Sequence, residues 1–132
     1  MHDIHRVISY AISHGLLGSL PPQCSYNNHM KTIYTWDETK RQTNLAKHGL
    51  DFVHADVVFE SHYRLDMPAM RNGEKRIHSF SYVMNRLAVL SLVHTERDAT
   101  VRIISFRYAS QLESENYYAW LENQYHDPQT NP

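Results

Sequence analysis

Three consecutive stretches limit this chain more than anything else in it: "RIHSFSYVM" (76–84), "RLAVLSLVHTE" (86–96) and "TVRIISFRY" (100–108). Each is rich in β-branched and aromatic residues, and only short polar turns separate them. Runs of that kind in close succession read as antiparallel strands of one sheet. The middle run is apolar in both parities, which predicts a central strand covered on both faces.

Around this block the pattern changes period. "KTIYTW" reads as a short strand, and "DETKRQTNLAKH" as a helix opened by Asp37 and closed by Gly49. "DFVHADVVFES" places Phe52, Ala55, Val58 and Phe59 at helical spacing behind Asp51, so a second helix is expected. "YRLDMP" reads as a weak strand ended by its proline, with a turn at Asn72-Gly73. "SQLESENYYAWLENQY" opens on a capping box, Ser110 to Glu113, and predicts a last helix. The order β-α-α-β-β-β-β-α predicts an α+β fold. Its antiparallel sheet of four to five strands packs against two N-terminal helices, with a C-terminal helix closing the chain.

Residues 30–126 form the expected domain, which 132 residues suffice to give a single core. Residues 1–29 are expected to be a flexible extension, broken at "PPQCSYNN", with Met30 a candidate natural start; 127–132 are expected to be a tail. The apolar stretch near the start is too short and interrupted to span a membrane. Cys24 stands alone, which excludes an intrachain disulfide and fits a reducing cytoplasm. Ten histidines occur without an HExxH motif or a zinc-like spacing, so neither metal nor cofactor is expected.

The net charge of −1 argues against a strongly basic nucleic-acid binder, but its distribution is uneven. From Arg71 to Arg107 seven basic residues face three acidic ones, a local excess that suits a phosphate-rich partner. The first helix adds a polar stripe, Lys40, Asn44, Lys47 and His48, at the spacing that usually carries apolar residues. Helix-stop chemistry accounts for Lys47 and His48 as well as a working surface does, and the pattern alone leaves both open.

No phosphate-binding glycine loop or nucleophile elbow is present. Glu, His, Lys and Arg remain, and these can cleave RNA without a metal: a base for the 2′-hydroxyl, a cation for the phosphate, an acid for the leaving 5′-oxygen. Strand parity restricts which can cooperate. Arg76 and His78 share a face. Arg102 and Arg107 fall on opposite faces unless a bulge intervenes, so Arg102 is expected at a surface or interface. Glu113 is accounted for by its capping box. Tyr63, Tyr82 and Tyr108 are candidates for stacking on bases or for core packing.

"WDETKRQTNLAKHGLDF", "GEKR" and "HTERDATVRIISFRYASQLESENY", taken in order, resemble the BrnT toxins of bacterial type II toxin–antitoxin systems. The matching positions run from Trp36, Asp37, Lys40, Asn44, Lys47, His48 and Gly49 through Phe52, Ala55 and Phe59. They continue at Glu74, Arg76, Thr95-Glu96-Arg97, Arg102 to Ser105, Arg107, Ala109-Ser110 and Glu113. The chain departs from the pattern at Ser81-Tyr82, where members often carry glycine, and at Arg76, displaced by one position. Residues 1–29 have no counterpart.

The resemblance implies a RelE-like fold with helices on one side of the sheet, and a ribonuclease that arrests growth. It implies a BrnA-like antitoxin that neutralises the toxin in a hetero-oligomer and alone contacts operator DNA. With the resemblance, His48 is expected as base or acid, Arg107 and Arg76 on the phosphate, and Glu74 or Glu96 as the partnering carboxylate. Lys40, Lys47 and Arg97 are expected on the RNA backbone. The alternative is a catalytically inactive, antitoxin-binding co-repressor.

Overall fold

A computed structural model describes residues 31–124. The extension read over 1–29, Met30 and the tail read over 127–132 lie outside the described residues. The elements are β1 (Ile33–Thr35), α1 (Glu38–His48), a 3-10 turn (Phe52–His54), α2 (Asp56–Phe59), β2 (Leu65–Arg71), β3 (Glu74–Val83), β4 (Ala88–Arg97), β5 (Thr100–Tyr108) and α3 (Gln111–Gln124). This is an α+β fold with one five-stranded sheet in the order β1-β5-β4-β3-β2. β4 is central, as its two apolar parities predict.

Three expectations are corrected. The sheet is mixed rather than antiparallel, because β1 pairs parallel with β5 (Ile33 opposite Thr100, Thr35 opposite Arg102). The strand containing "YRLDMP" does not end at its proline: β2 runs on to Arg71, with Pro68 on the outer strand of the sheet, where no neighbour needs its missing N–H. Asn72 and Gly73, both at positive φ (50° and 78°), then make the two-residue hairpin to Glu74. Finally, the second helix is split. Asp51 caps a single 3-10 turn through Val53 N–H (3.2 Å), and bonds of the 3-10 type, His54 to Asp51 and Ala55 to Phe52 (both 3.0 Å), repeat every three residues. Phe52, Ala55 and Val58 are themselves three apart, so the tighter winding turns all of them into the core.

α1 behaves as its end signals require. Asp37 accepts the Lys40 N–H at 3.0 Å, and Gly49 takes a left-handed conformation (φ 72°) with its N–H on the Leu45 carbonyl at 2.8 Å. Arg41 ties the helix to the following loop by bonding both Glu38 and Asp51.

Alternation along the strands gives the sheet two working faces. One carries Leu90 and Leu92 of β4 with Val101, Ile103 and Phe106 of β5, covered by Leu50, Phe52, Ala55 and Val58. The other carries Phe80 and Val89, covered by Tyr117 and Leu121 of α3. Helices therefore lie on both sides of the sheet, not on one. Tyr117 fastens α3 through its hydroxyl, which donates to the Tyr63 carbonyl at 2.7 Å. Among the described residues α3 covers the Phe80–Val89 end of its face, and mostly polar side chains line the rest.

Candidate active site

Pairing across β3, β4 and β5 arranges that second face in rows about 7 Å apart along the strands. One row is Phe80, Ser91 and Arg107; the next is His78, Val93 and Ser105. Beyond lie Arg76 on β3 and Thr95 opposite Arg102. Arg102 and Arg107 reach the same face because the register shifts between Val93 and His94: Val93 pairs with Ser105 but His94 with Ile103, leaving Ile104 extra. This is the bulge that strict alternation required. Val101, Ile103 and Phe106 stay buried on the helix-covered face while both arginines emerge on the other.

Two ion clusters bracket the row that holds His78. At one end Glu74 accepts from Arg76 Nε at 2.9 Å and from Arg102 Nη2 at 2.7 Å. Those bonds, Arg76 foremost, hold the Glu74 carboxyl below the ordinary range, and the charge of Lys40 contributes from α1. At the other end Arg107 grips Glu113 with both guanidinium nitrogens, at 2.9 and 3.1 Å. Glu113 also completes the capping box, accepting from Ser110 N–H at 2.8 Å while Ser110 Oγ accepts from Glu113 N–H at 3.1 Å. Arg107 is the main reason that the Glu113 pKa falls to about 2. The capping box was legible in sequence; its second partner was not.

α1 forms the wall beside β5. Asn44, 8% exposed, bonds the backbone of Phe106 from both ends of its amide and also reaches the Leu50 carbonyl at 3.1 Å. The polar stripe therefore runs alongside β5. Lys40 lies at the Glu74 end, and His48 at the Arg107 end, where burial and then the charges of Lys47 and Arg107 lower its pKa.

Of the residues expected from sequence, Glu74 and Arg76 are paired, with Lys40 near enough for its charge to act on Glu74, and His48 feels the charge of Arg107 at the other end. Lys47 is exposed beside His48. Glu96 is not brought to them. It shares a face with His94 and Val101, 3.6 Å from His94 Nδ1 and 4.0 Å from Arg64. Arg97 is exposed at the far end of β4, where it pairs with Thr100. Tyr63 is buried and partly encloses the α3 core, with Tyr82 packed against it, whereas Tyr108 is exposed.

Sequence reasoning passed over Arg102, hidden by a bulge that no glycine announces, and Ser91, a buried serine in an apolar run. It noted His78 only as a neighbour of Arg76. Among the described residues no cluster of three or more His, Cys, Asp or Glu side chains could hold a metal ion. No described helix is long and apolar enough to cross a membrane.

A family model described as "Ribonuclease toxin, BrnT, of type II toxin-antitoxin system" matches residues 36–113, more than half of the chain. The matched segment runs from Trp36, just before α1, to Glu113 in the first turn of α3 and so contains both ion clusters. Comparison with curated proteins returned no match.

Proposed function

The chain belongs to the BrnT family of type II toxin–antitoxin ribonuclease toxins, and from that premise we propose that it is a metal-independent endoribonuclease whose substrate lies across the open face of the sheet. The observation that carries this reading is the bulge at Ile104, which gathers Arg76, Arg102 and Arg107 on one face beside α1. Three guanidinium groups and the adjacent lysines give that face the charge an RNA backbone requires, and planar guanidinium forks match phosphate oxygens.

Arg107 and Arg76 hold the phosphate whose charge builds up during cleavage, and His48, next to Arg107, exchanges a proton with the substrate. Glu74 orients Arg76 and Arg102. Lys40, Lys47 and Arg97 follow the backbone on either side. Each phosphate contact must displace a carboxylate already paired to its arginine, so binding exchanges one ion pair for another. Growth arrest follows from RNA cleavage in the cytoplasm. A BrnA-like antitoxin neutralises the chain in a hetero-oligomer and supplies all contact with operator DNA.

The test is cleavage of RNA by the purified chain in excess EDTA, beside Arg107→Ala and His48→Ala. Cleavage by the wild type that falls at least about 100-fold in both variants supports the reading, since one proton-transfer group or one oxyanion donor contributes on that scale. Cleavage that survives Arg107→Ala removes this face from consideration. Intact RNA throughout moves the chain to ribosome-dependent cleavage or to the class of inactive, antitoxin-binding co-repressors.

A further inference from the structure

Between the two ion clusters the sheet face holds an imidazole that this reading leaves without a task. His78 is half-buried, its ring 4.2 Å from that of Phe80 at an angle of 31°, and its Nε2 lies 2.5 Å from Ser91 Oγ. Ser91 is only 1% exposed and sits on the central strand, so it cannot follow a wandering ring. Its Oγ fixes one nitrogen. The other, Nδ1, has no hydrogen-bond partner among the described residues and is not among the buried atoms left without one. A histidine with one nitrogen pinned to a rigid strand and the other unpartnered among the described residues, set between two arginine–carboxylate clusters, has the form of a proton-transfer group.

Resting on the ribonuclease reading, we infer that His78 is a catalytic residue, the general base that takes the 2′-hydroxyl proton, with Ser91 as its positioning residue. With Nε2–H donating to Ser91 Oγ, the Nδ1 lone pair accepts the proton. The 2′-oxygen then forms a bond to the adjacent phosphorus, and the bond from phosphorus to the 5′-oxygen breaks. The products are a 2′,3′-cyclic phosphate and a 5′-hydroxyl. The proton on that hydroxyl comes from His48, which completes the balance. Both imidazoles feel the charge of Arg107, and the step requires that a phosphate on that guanidinium be reached by both.

The surroundings of His78 favour the base form. Met67 faces it from β2, Arg76 and Phe80 flank it on β3, Val93 and Ser91 on β4, and Ser105 and Arg107 on β5; Glu113 approaches from α3. Burial lowers its pKa, Glu113 opposes this and Arg107 adds to it, so the ring is neutral near pH 7. His48 is also lowered in the free chain. A phosphate seated on Arg107 cancels the repulsion there and raises His48 toward the protonated form that an acid needs.

The experiment measures single-turnover cleavage of a short RNA by the full chain between pH 5 and 9, after the cut site is mapped with wild type. His78→Gln, His48→Ala and Ser91→Ala are compared, with binding of the 2′-O-methyl form of the same RNA read separately. A second substrate carries sulfur in place of the bridging 5′-oxygen, which leaves without needing a proton. The wild type should give a bell-shaped profile. His78→Gln should lose about 100-fold or more in rate with binding unchanged, and lose the acidic limb. The sulfur substrate should restore His48→Ala and leave His78→Gln slow. Ser91→Ala should shift the acidic limb without altering binding, and it carries the test alone if His78→Gln fails to fold. His78→Gln cleaving at nearly the wild-type rate, or recovering on the sulfur substrate, overturns the assignment while the ribonuclease stands. RNA left intact by wild type overturns both.

Discussion

Asn44 and Phe106 close a ring of two hydrogen bonds: Phe106 N–H donates to Asn44 Oδ1 at 3.2 Å, and Asn44 Nδ2–H donates to the Phe106 carbonyl at 2.7 Å. β1 stops pairing with β5 at Arg102, so among the described residues this stretch of β5 has β4 on one side and no strand on the other. The asparagine amide substitutes for one and thereby fixes where α1 lies along the sheet. A polar residue in the middle of the polar stripe is thus structural, while its neighbours Lys40 and His48 border the cleft.

Asn44→Ala should cost about 2–4 kcal/mol, because it removes the bonds and leaves a buried N–H and C=O without partners. Asn44→Asp should be no better near pH 7. It keeps an acceptor for the N–H but sets a carboxylate against the Phe106 carbonyl. Urea unfolding of both variants checks this, and a loss below about 1 kcal/mol in Asn44→Ala would mean that water replaces the amide.

His94 should make the fold acid-sensitive. Its ring is fully buried, with Nε2 2.8 Å from Ser79 Oγ, and Ser79 Oγ in turn donates to Asp66 at 2.6 Å. Nδ1 is buried without a hydrogen-bond partner. Burial, then the charge of Arg64, lowers its pKa to about 4. The unfolded chain binds the proton with the ordinary pKa, near 6.5. The neutral ring's contribution is therefore fully present above about pH 6.5 and is lost as pH falls from there toward 4. Urea unfolding at pH 7 and pH 5 should differ by of order 2 kcal/mol from this group. His94→Leu should flatten that slope even where it lowers stability at pH 7, because a leucine leaves nothing to titrate.

Much of this was legible because it is local. Asp37, Gly49 and the Ser110–Glu113 box sit beside the groups that they satisfy, and the period-two runs declare β3, β4 and β5 directly. What was hidden is non-local or irregular. Three residues of β1 bear no mark of a parallel partner as distant as Thr100–Arg102. "VRIISFR" contains no glycine or proline to announce an extra residue, so alternation assigned Arg102 and Arg107 to opposite faces. Glu96 was named beside Glu74 as a candidate carboxylate for the opposite reason. β4 is apolar in both parities, so its pattern gave no sign of which face the residue at its end would share.

Deleting Ile104 turns that irregularity into a test. Without it Arg102 and Arg107 stand four residues apart, so strict alternation leaves both on one face and keeps Val101, Ile103 and Phe106 together on the other. The shortened chain should therefore fold and keep both the Arg102–Glu74 ion pair and RNA cleavage. Ile104→Ala keeps the bulge and should also retain cleavage. Thermal melts beside the EDTA cleavage assay compare the two; loss of cleavage by a folded deletion variant would show that a shared face is not enough and that the bulge itself is needed.

The stripe itself yields the last prediction. Lys40 and Lys47 are exposed, at the Glu74 and the Arg107 ends of the same wall, and on the proposed reading a single-stranded backbone lying across the sheet passes both. Each lysine that neutralises one phosphate should contribute about 0.7 to the slope of log affinity against log salt. Lys40→Ala and Lys47→Ala should each weaken binding of a 2′-O-methyl RNA at low salt and lower that slope by about this amount, and the double variant by about twice as much. Fluorescence anisotropy between 50 and 300 mM salt would measure it. Were Lys47 only a cation at the end of α1, Lys47→Ala would leave the slope unchanged and cost a few tenths of a kcal/mol in helix stability instead.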